Sequence, residues 1–110
     1  MWIGGENMRV IREISEMIEN MIKSAEDYAH AAIEWKDEYP DASKALMSIS
    51  ENEMNNMNSL HSVVTKIIQD YRKTNGEPPT PMMAVYDYLH KKHIDNAARV
   101  KAMQAMYKEG

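Results

Sequence analysis

The sequence has no cysteine and no phenylalanine, and it has only four glycines and four prolines among 110 residues. Without cysteine, the chain forms no disulfides and offers no thiolate ligands for zinc or iron–sulfur clusters. So few turn-forming residues argue against a sandwich or barrel built from many short strands. With 44% hydrophobic and 27% charged residues, the composition indicates a small, folded, helical domain rather than a disordered chain.

The sequence also lacks a strongly basic region and a long apolar run. Its 13 lysines and arginines against 17 acidic residues give a net charge of −4, whereas binding to duplex DNA requires a basic face. No apolar run approaches the roughly 20 residues that span a bilayer. The first five residues lack the basic start of a signal peptide. We therefore expect no nucleic-acid partner, no membrane association and a cytoplasmic location.

Proline and glycine divide the chain into three long helical segments. The predicted helices cover about residues 6–38, 41–74 and 80–108, and Thr80-Pro81 is typical of a helix start with Thr80 as N-cap. Apolar residues recur in steps of three and four, so each helix has one apolar stripe. The stripe of the second helix is predicted to contain Leu46, Ile49, Leu60, Val64 and Tyr71. Short connections predict an all-α, antiparallel up-down bundle in a single domain spanning residues 1–110.

Polar residues interrupt the stripes in the middle of the helices. Glu53 follows Ile49 by four positions and precedes Leu60 by seven, so helical geometry turns it toward the interior. His93 has the same relation to its apolar neighbours on the third helix, and His90 precedes it by one turn. A buried carboxylate without a partner is costly, so each such residue needs a hydrogen bond, an opposite charge, a metal ion or access to water.

Each of these residues also has a purely structural interpretation. A histidine on an apolar face is usually a hydrogen-bonded core or boundary residue, and His61 is expected to be a boundary residue. Glu26 on the first helix can extend to solvent at the edge of its stripe. The structural interpretation is weakest for Glu53, which has apolar neighbours on both sides. The 11 methionines are expected to fill gaps in a core that has no phenylalanine.

A carboxylate on one helix, a tight turn and Glu-x-x-His in the next helix form the half-site of di-iron carboxylate bundles. The segment SAEDYAHAAIEWKDEYPDASKALMSISENEMNNMNSLH, residues 24–61, resembles this helix pair in the rubrerythrin and encapsulated-ferritin types of the ferritin-like superfamily. The chain is also similar to small ferritin-like proteins of bacterial and prophage genomes. The resemblance places Glu26 or Asp27 at the first-helix carboxylate and Glu53 at the glutamate of the motif. Asn56 stands where the family has histidine.

The resemblance implies a bundle of four helices. A chain with three helices is expected to obtain the missing helix face by forming a homodimer. It also implies iron or manganese as the metal, with Glu26, Glu53, His90 and His93 as candidate ligands in this chain. Two functions stay open, and the sequence does not decide whether the protein is an enzyme. The first is a ferritin-like protein with a reduced carboxylate/histidine metal site. The second is a non-enzymatic structural or adaptor protein that acts through helix–helix association, with buried polar residues that set the pairing.

Overall fold

The protein consists of three α-helices connected by two short segments. The computed structural model describes residues 4–110, and helices make up nearly all of them, with no strand in that range: α1 (Gly4–Glu34), α2 (Pro40–Asn75) and α3 (Thr80–Glu109). The first three residues, which belong to the segment analysed for a signal peptide, lie outside the described chain. The helices lie side by side in a bundle that measures 59 × 18 × 17 Å.

Contacts between helices establish an up-down-up arrangement. Ser43 and Ser50 of α2 donate hydrogen bonds to the backbone carbonyls of Ala32 and Ala25 of α1, so residue numbers rise along one helix as they fall along the other. His61 of α2 contacts His90 of α3, whereas Ser50 bonds to Gln104 and Ser43 to Tyr107, so α2 and α3 are antiparallel as well. Since both neighbours are antiparallel to α2, α1 and α3 are parallel. The predicted all-α bundle of three packed helices is confirmed.

The first helix is shorter than the sequence predicted. It ends at Glu34 instead of continuing to Glu38, and residues 35–38 form a turn. Pro40 opens α2, and the residue before a proline is disfavoured in the helical conformation. Tyr39 accordingly has φ −134° and ψ 69°, and its backbone N–H donates to the carbonyl of Trp35 at 2.9 Å. The chain reverses direction within this turn.

The two remaining predictions about helix ends have different outcomes. The sequence predicts a left-handed stop at Asn75-Gly76; Gly76 does follow α2 with a positive φ of 78°, which a glycine adopts without steric cost, but its ψ of −160° lies outside the left-handed helical conformation. Thr80 is the first residue of α3 rather than its N-cap, because Pro79 occupies the cap position and no side chain caps the helix. None of the three helices, over residues 4–110, has an apolar segment of the length and hydropathy needed to cross a membrane.

The core of α2 lies on a face adjacent to the predicted stripe. The buried residues share steps of three and four, and they are Ser43, Met47, Ser50, Met54, Met57, Val64, Ile68 and Tyr71. The predicted stripe was right at Val64 and Tyr71, but Ile49 is 40% exposed and Glu53 is half-buried. The reason is that the buried serines occupy core positions through hydrogen bonds, so an apolar count misses them.

The three helices are not packed equally tightly. α1 contacts α2 along much of its length and α3 less extensively, while α2 and α3 approach each other least. Small side chains on α1 (Ala25, Ala29 and Ala32, all fully buried) let α2 come close enough for Ser50 Oγ to reach the Ala25 carbonyl at 2.6 Å. Between α2 and α3 a groove remains instead of a closed interface.

Candidate functional site

The structure does not bring the four predicted metal ligands together at one site. Glu26 lies on the α3 side of α1, in a shallow groove between these helices. Its carboxylate oxygen accepts hydrogen bonds from Arg99 Nη2 at 2.7 Å and Arg99 Nε at 3.1 Å. The same groove contains the ion pair between Glu19 and Lys92. Glu26 is therefore matched by an opposite charge from the neighbouring helix.

His90 and His93 lie together on α3, as the sequence predicted, and His61 of α2 faces them. The three imidazoles line the groove between α2 and α3, which has a volume of about 360 Å³. This volume is within the range typical of small-ligand sites. The rest of the groove is mostly apolar, with Lys101 near one end, and the remaining lining residues are Met57, Asn58, Ile94, Ala97 and Ala98.

The imidazole rings are arranged edge to face. The ring centroids of His61 and His90 are 4.6 Å apart, and the ring planes are nearly perpendicular at 87°. Tyr86, one turn before His90, places its hydroxyl 3.0 Å from His90 Nδ1. His93 is only 5% exposed. The Nε2 atoms of His61 and His93 are both buried and have no hydrogen-bond partner among the described residues.

Burial also favours the neutral form of His61 and His93. It lowers the pKa of His93 below the usual imidazole range; the Glu19 carboxylate partly opposes this shift, whereas Lys92 and the neighbouring histidines add to it. Burial likewise lowers the pKa of His61, and the nearby His90 contributes. A neutral imidazole has one ring nitrogen with a free lone pair, which is the form that binds a metal ion.

Glu53 lies away from the histidines. It belongs to a row of α2 residues spaced by seven, namely Leu46, Glu53, Leu60 and Ile67, and its side chain is half-buried. Within residues 4–110 it makes no hydrogen bond or ion pair, and it lines neither of the grooves that hold Glu26 and the histidines. Asn56, one turn further on, is exposed. Across the described chain, no three histidine or acidic side chains are arranged to hold one metal ion.

The row that contains Glu53 belongs to an apolar surface, here called the open face. It is formed on α1 by Val10, Ile14, Met17, Met21 and Tyr28 and on α2 by Leu46, Ile49, Leu60, Val63 and Ile67. Val10, Met17, Tyr28, Ile49 and Val63 are 36–52% exposed. The others are partly buried, and all of these except Leu46 pack against the main core.

The open face points away from α3. Met17 precedes Glu19 by two positions, and Glu19 pairs with α3, so the two side chains are about 200° apart around the helix. The same relation holds on α2, where Ile49 precedes Glu51 by two positions and Glu51 pairs with Lys108 of α3. The open face is thus on the opposite side of the α1–α2 pair.

Sequence reasoning missed His61 as a member of the histidine cluster and missed the open face. A seven-residue spacing could have indicated both. His61 follows Met54 by seven positions and precedes Ile68 by seven, and both of these are core residues. Met21 and Tyr28 have the same spacing on the open face.

Comparison of the chain with protein-family models, with curated proteins and with solved structures finds no match.

Proposed function

We propose that this chain is a structural or adaptor protein that acts through helix–helix association, and that its partner at the open face is a second copy of itself. The observation that carries this proposal is the apolar row on the α1–α2 pair, opposite α3. Exposed apolar surface of this extent is typical of an association site.

The charge distribution supports an interface at this position. Of the 22 residues from 42 to 63, only Lys44, Glu51 and Glu53 are charged, in a chain with 27% charged residues overall. Lys44 and Glu51 are seven positions apart and lie on the α3 side, so Glu53 is the single charge on the open side of this segment. Depletion of charge together with enrichment in methionine and aromatic residues is the composition of protein interfaces.

The dimensions favour a helix pair rather than a single helix as the partner. The open face extends over about 35 Å at 1.5 Å per residue and across two helices, which is on the order of 600 Å² per copy. Stable dimers bury about 600–1,000 Å² per partner, so the open face of a helix pair is at the lower end of this range and a single helix falls below it. A second copy supplies an antiparallel helix pair, and two such pairs form a four-helix layer by two-fold symmetry. The third helix of each copy then lies on the outside.

Analytical ultracentrifugation tests the proposal. The wild-type chain is expected to sediment at twice the monomer mass of 12.7 kDa at micromolar concentration, and Met17→Lys and Ile49→Lys are expected to sediment as monomers. Tyr88→Lys is the matched control, since Tyr88 is 68% exposed on α3, outside the open face. Circular dichroism confirms that each variant is folded. A wild-type monomer at all concentrations, or a Tyr88→Lys variant that dissociates equally, contradicts the proposal.

A metal site at Glu53 is the second candidate function, and the half-buried carboxylate without a partner supports it. Glu53 and Asn56 lie near the middle of the open face. A two-fold axis that passes close to Glu53 would bring the carboxylates of the two copies together, and a divalent cation between them would neutralise their repulsion. Saturable binding of Mn²⁺ or Fe²⁺ in calorimetry, lost in Glu53→Ala, is the expected result. Absence of binding by the dimer excludes this ferritin-like interpretation.

A further inference from the structure

We propose that the groove between α2 and α3 binds a late transition-metal ion, with Zn²⁺ as its simplest representative, through the Nε2 atoms of His61 and His93. The site is distinct from the open face and does not depend on association. It also differs from the set predicted from the sequence, because it includes His61 and excludes both glutamates.

Two buried nitrogen atoms without partners point to a ligand. His93 is 5% exposed, and its Nε2 atom contacts neither solvent nor a hydrogen-bond partner within the described chain. The Nε2 atom of His61, on the α2 side of the groove, is likewise buried and has no hydrogen-bond partner within the described chain. Buried polar atoms are nearly always satisfied in proteins, so a group that binds both nitrogens removes a desolvation cost on each wall.

The imidazole nitrogens on the two sides of the groove determine which metal ions can bind. Imidazole nitrogen is a ligand for Zn²⁺, Ni²⁺ and Cu²⁺, whereas Mg²⁺ and Ca²⁺ require oxygen ligands. Lys101 is the charged residue of the lining, and it is exposed, so solvent screens its charge.

His90 acts as a positioning residue in this arrangement. Its Nδ1 atom lies 3.0 Å from the Tyr86 hydroxyl, and its ring stands edge to face against that of His61 at 4.6 Å. The hydrogen bond to Tyr86 fixes the orientation of the His90 ring, and the ring limits the rotation of His61.

Two protein ligands imply an ion that keeps water in its remaining positions. No three histidine or acidic side chains within residues 4–110 are arranged to hold one ion together, so the site is more open than a structural zinc site. Because zinc–nitrogen bonds are about 2.0–2.1 Å, a bound ion holds the two Nε2 atoms within about 4 Å of each other. It therefore links α2 to α3, the two helices that approach each other least.

Calorimetric titration of the whole chain with Zn²⁺ at neutral pH is the primary test. Saturable binding with one ion per chain and a raised melting temperature are expected. His61→Gln and His93→Gln are expected to abolish binding, whereas Tyr86→Phe is expected only to weaken it, because the Tyr86 hydroxyl acts through His90. His30→Gln is the matched control, since His30 is exposed on α1, away from the groove. Mg²⁺ is the control ion and is expected not to bind at this site.

A second measurement keeps the test decisive if His93→Gln fails to fold. In the wild-type protein, Zn²⁺ is expected to shift the imidazole proton resonances of His61 and His93 in NMR spectra and to leave those of His30 unchanged. No saturable Zn²⁺ binding, full binding retained by folded His61→Gln, or equal loss in His30→Gln overturns the proposal. Sedimentation in the presence of EDTA separates this result from the dimer, because association does not require the histidine site.

Discussion

Ser50 donates a hydrogen bond from its hydroxyl to the backbone carbonyl of Ala25 on the neighbouring helix, at 2.6 Å. Both residues are completely buried. The same hydroxyl oxygen accepts a hydrogen bond from Gln104 Nε2 of α3 at 3.0 Å. One serine therefore connects all three helices, and the absence of a side chain beyond Cβ at Ala25 is what allows the approach.

Ser50→Ala is expected to lower the free energy of unfolding by about 1–3 kcal/mol, because it removes one bond to Ala25 and leaves the Gln104 amide without its partner. Ser59→Ala is the matched control on the same helix, where the hydroxyl is exposed and bonds only to the carbonyl of Asn55. We expect less than about 0.5 kcal/mol for the control. Urea denaturation followed by circular dichroism measures both. Equal losses in the two variants would show that the hydrogen bonds of Ser50 between helices contribute nothing to the free energy of unfolding.

Stability is expected to fall when the pH decreases below neutral, because of His93. Burial lowers its pKa in the folded state, and Lys92, His90 and His61 add to the shift while Glu19 opposes it. The unfolded chain, with an ordinary imidazole pKa of about 6.5, then binds the proton first as the pH falls. The contribution of neutral His93 to the free energy of unfolding is fully present above the pKa of the unfolded state. It is lost progressively as the pH falls from that value to the lower pKa of the folded state.

The measurement is urea denaturation between about pH 5 and 8 in the presence of EDTA, so that metal binding does not contribute. Folded His93→Gln is expected to show a weaker dependence on pH over this range. His30→Gln, on the exposed side of α1, is expected to retain the wild-type dependence. A His93→Gln variant whose stability follows the wild-type pH profile would show that His93 is not the group responsible.

The ion pair between Glu26 and Arg99 is expected to contribute little. The carboxylate is 25% exposed and the guanidinium 59% exposed, so solvent screens the attraction. We expect Glu26→Gln to lower the free energy of unfolding by about 0.2–1 kcal/mol, and by less in about 1 M salt. Zn²⁺ binding by this variant is expected to equal that of the wild type. Loss of metal binding would instead return Glu26 to the set of ligands predicted from the sequence.

Gly76→Ala is expected to destabilise the protein through the backbone alone. Gly76 has φ 78° and ψ −160°, a region that residues with a side chain rarely adopt, whereas a Cβ atom at this position has no neighbour within 4 Å. The expected loss is about 1–3 kcal/mol in thermal or urea denaturation. Gly110→Ala, in which the Cβ atom meets only ordinary contacts, is the control. Unchanged stability in Gly76→Ala would show that the connection adopts another conformation at little cost.

The number of helices, their order and the positions of both connections could be predicted from the sequence, because Pro40 and Gly76 interrupt otherwise continuous helical patterns. The exact core face of α2 could not. Ser43 and Ser50 are polar in the sequence, and only the neighbouring backbone carbonyls make them core residues. Counting apolar residues therefore placed Ile49 and Glu53 in the core, whereas the buried residues are the next ones in the sequence, Ser50 and Met54.

The inward position of His93 and its proximity to His90 followed from spacing within one helix. The distance between residues on different helices depends on the register of their packing, which the sequence does not contain. Glu26 and Glu53 were grouped with the histidines for this reason, although Arg99 neutralises the first and the second lies on the open face. His61 joins the histidine cluster only because α2 and α3 pair around it.

Polar bonds to α2 are concentrated in the second half of α3. There Tyr107 bonds to Ser43 and Gln104 to Ser50, while Lys36 donates to the Tyr107 carbonyl at 2.7 Å. The middle of α3, from His90 to Lys101, adjoins the histidine groove instead. Thermal fluctuations should therefore detach α3 progressively from its beginning, with Tyr107 as the last point of attachment, so that amide protons near Met82 exchange earlier than those near Val100. We therefore expect α3 to open locally from its N-terminal end while its C-terminal end stays attached to the other two helices.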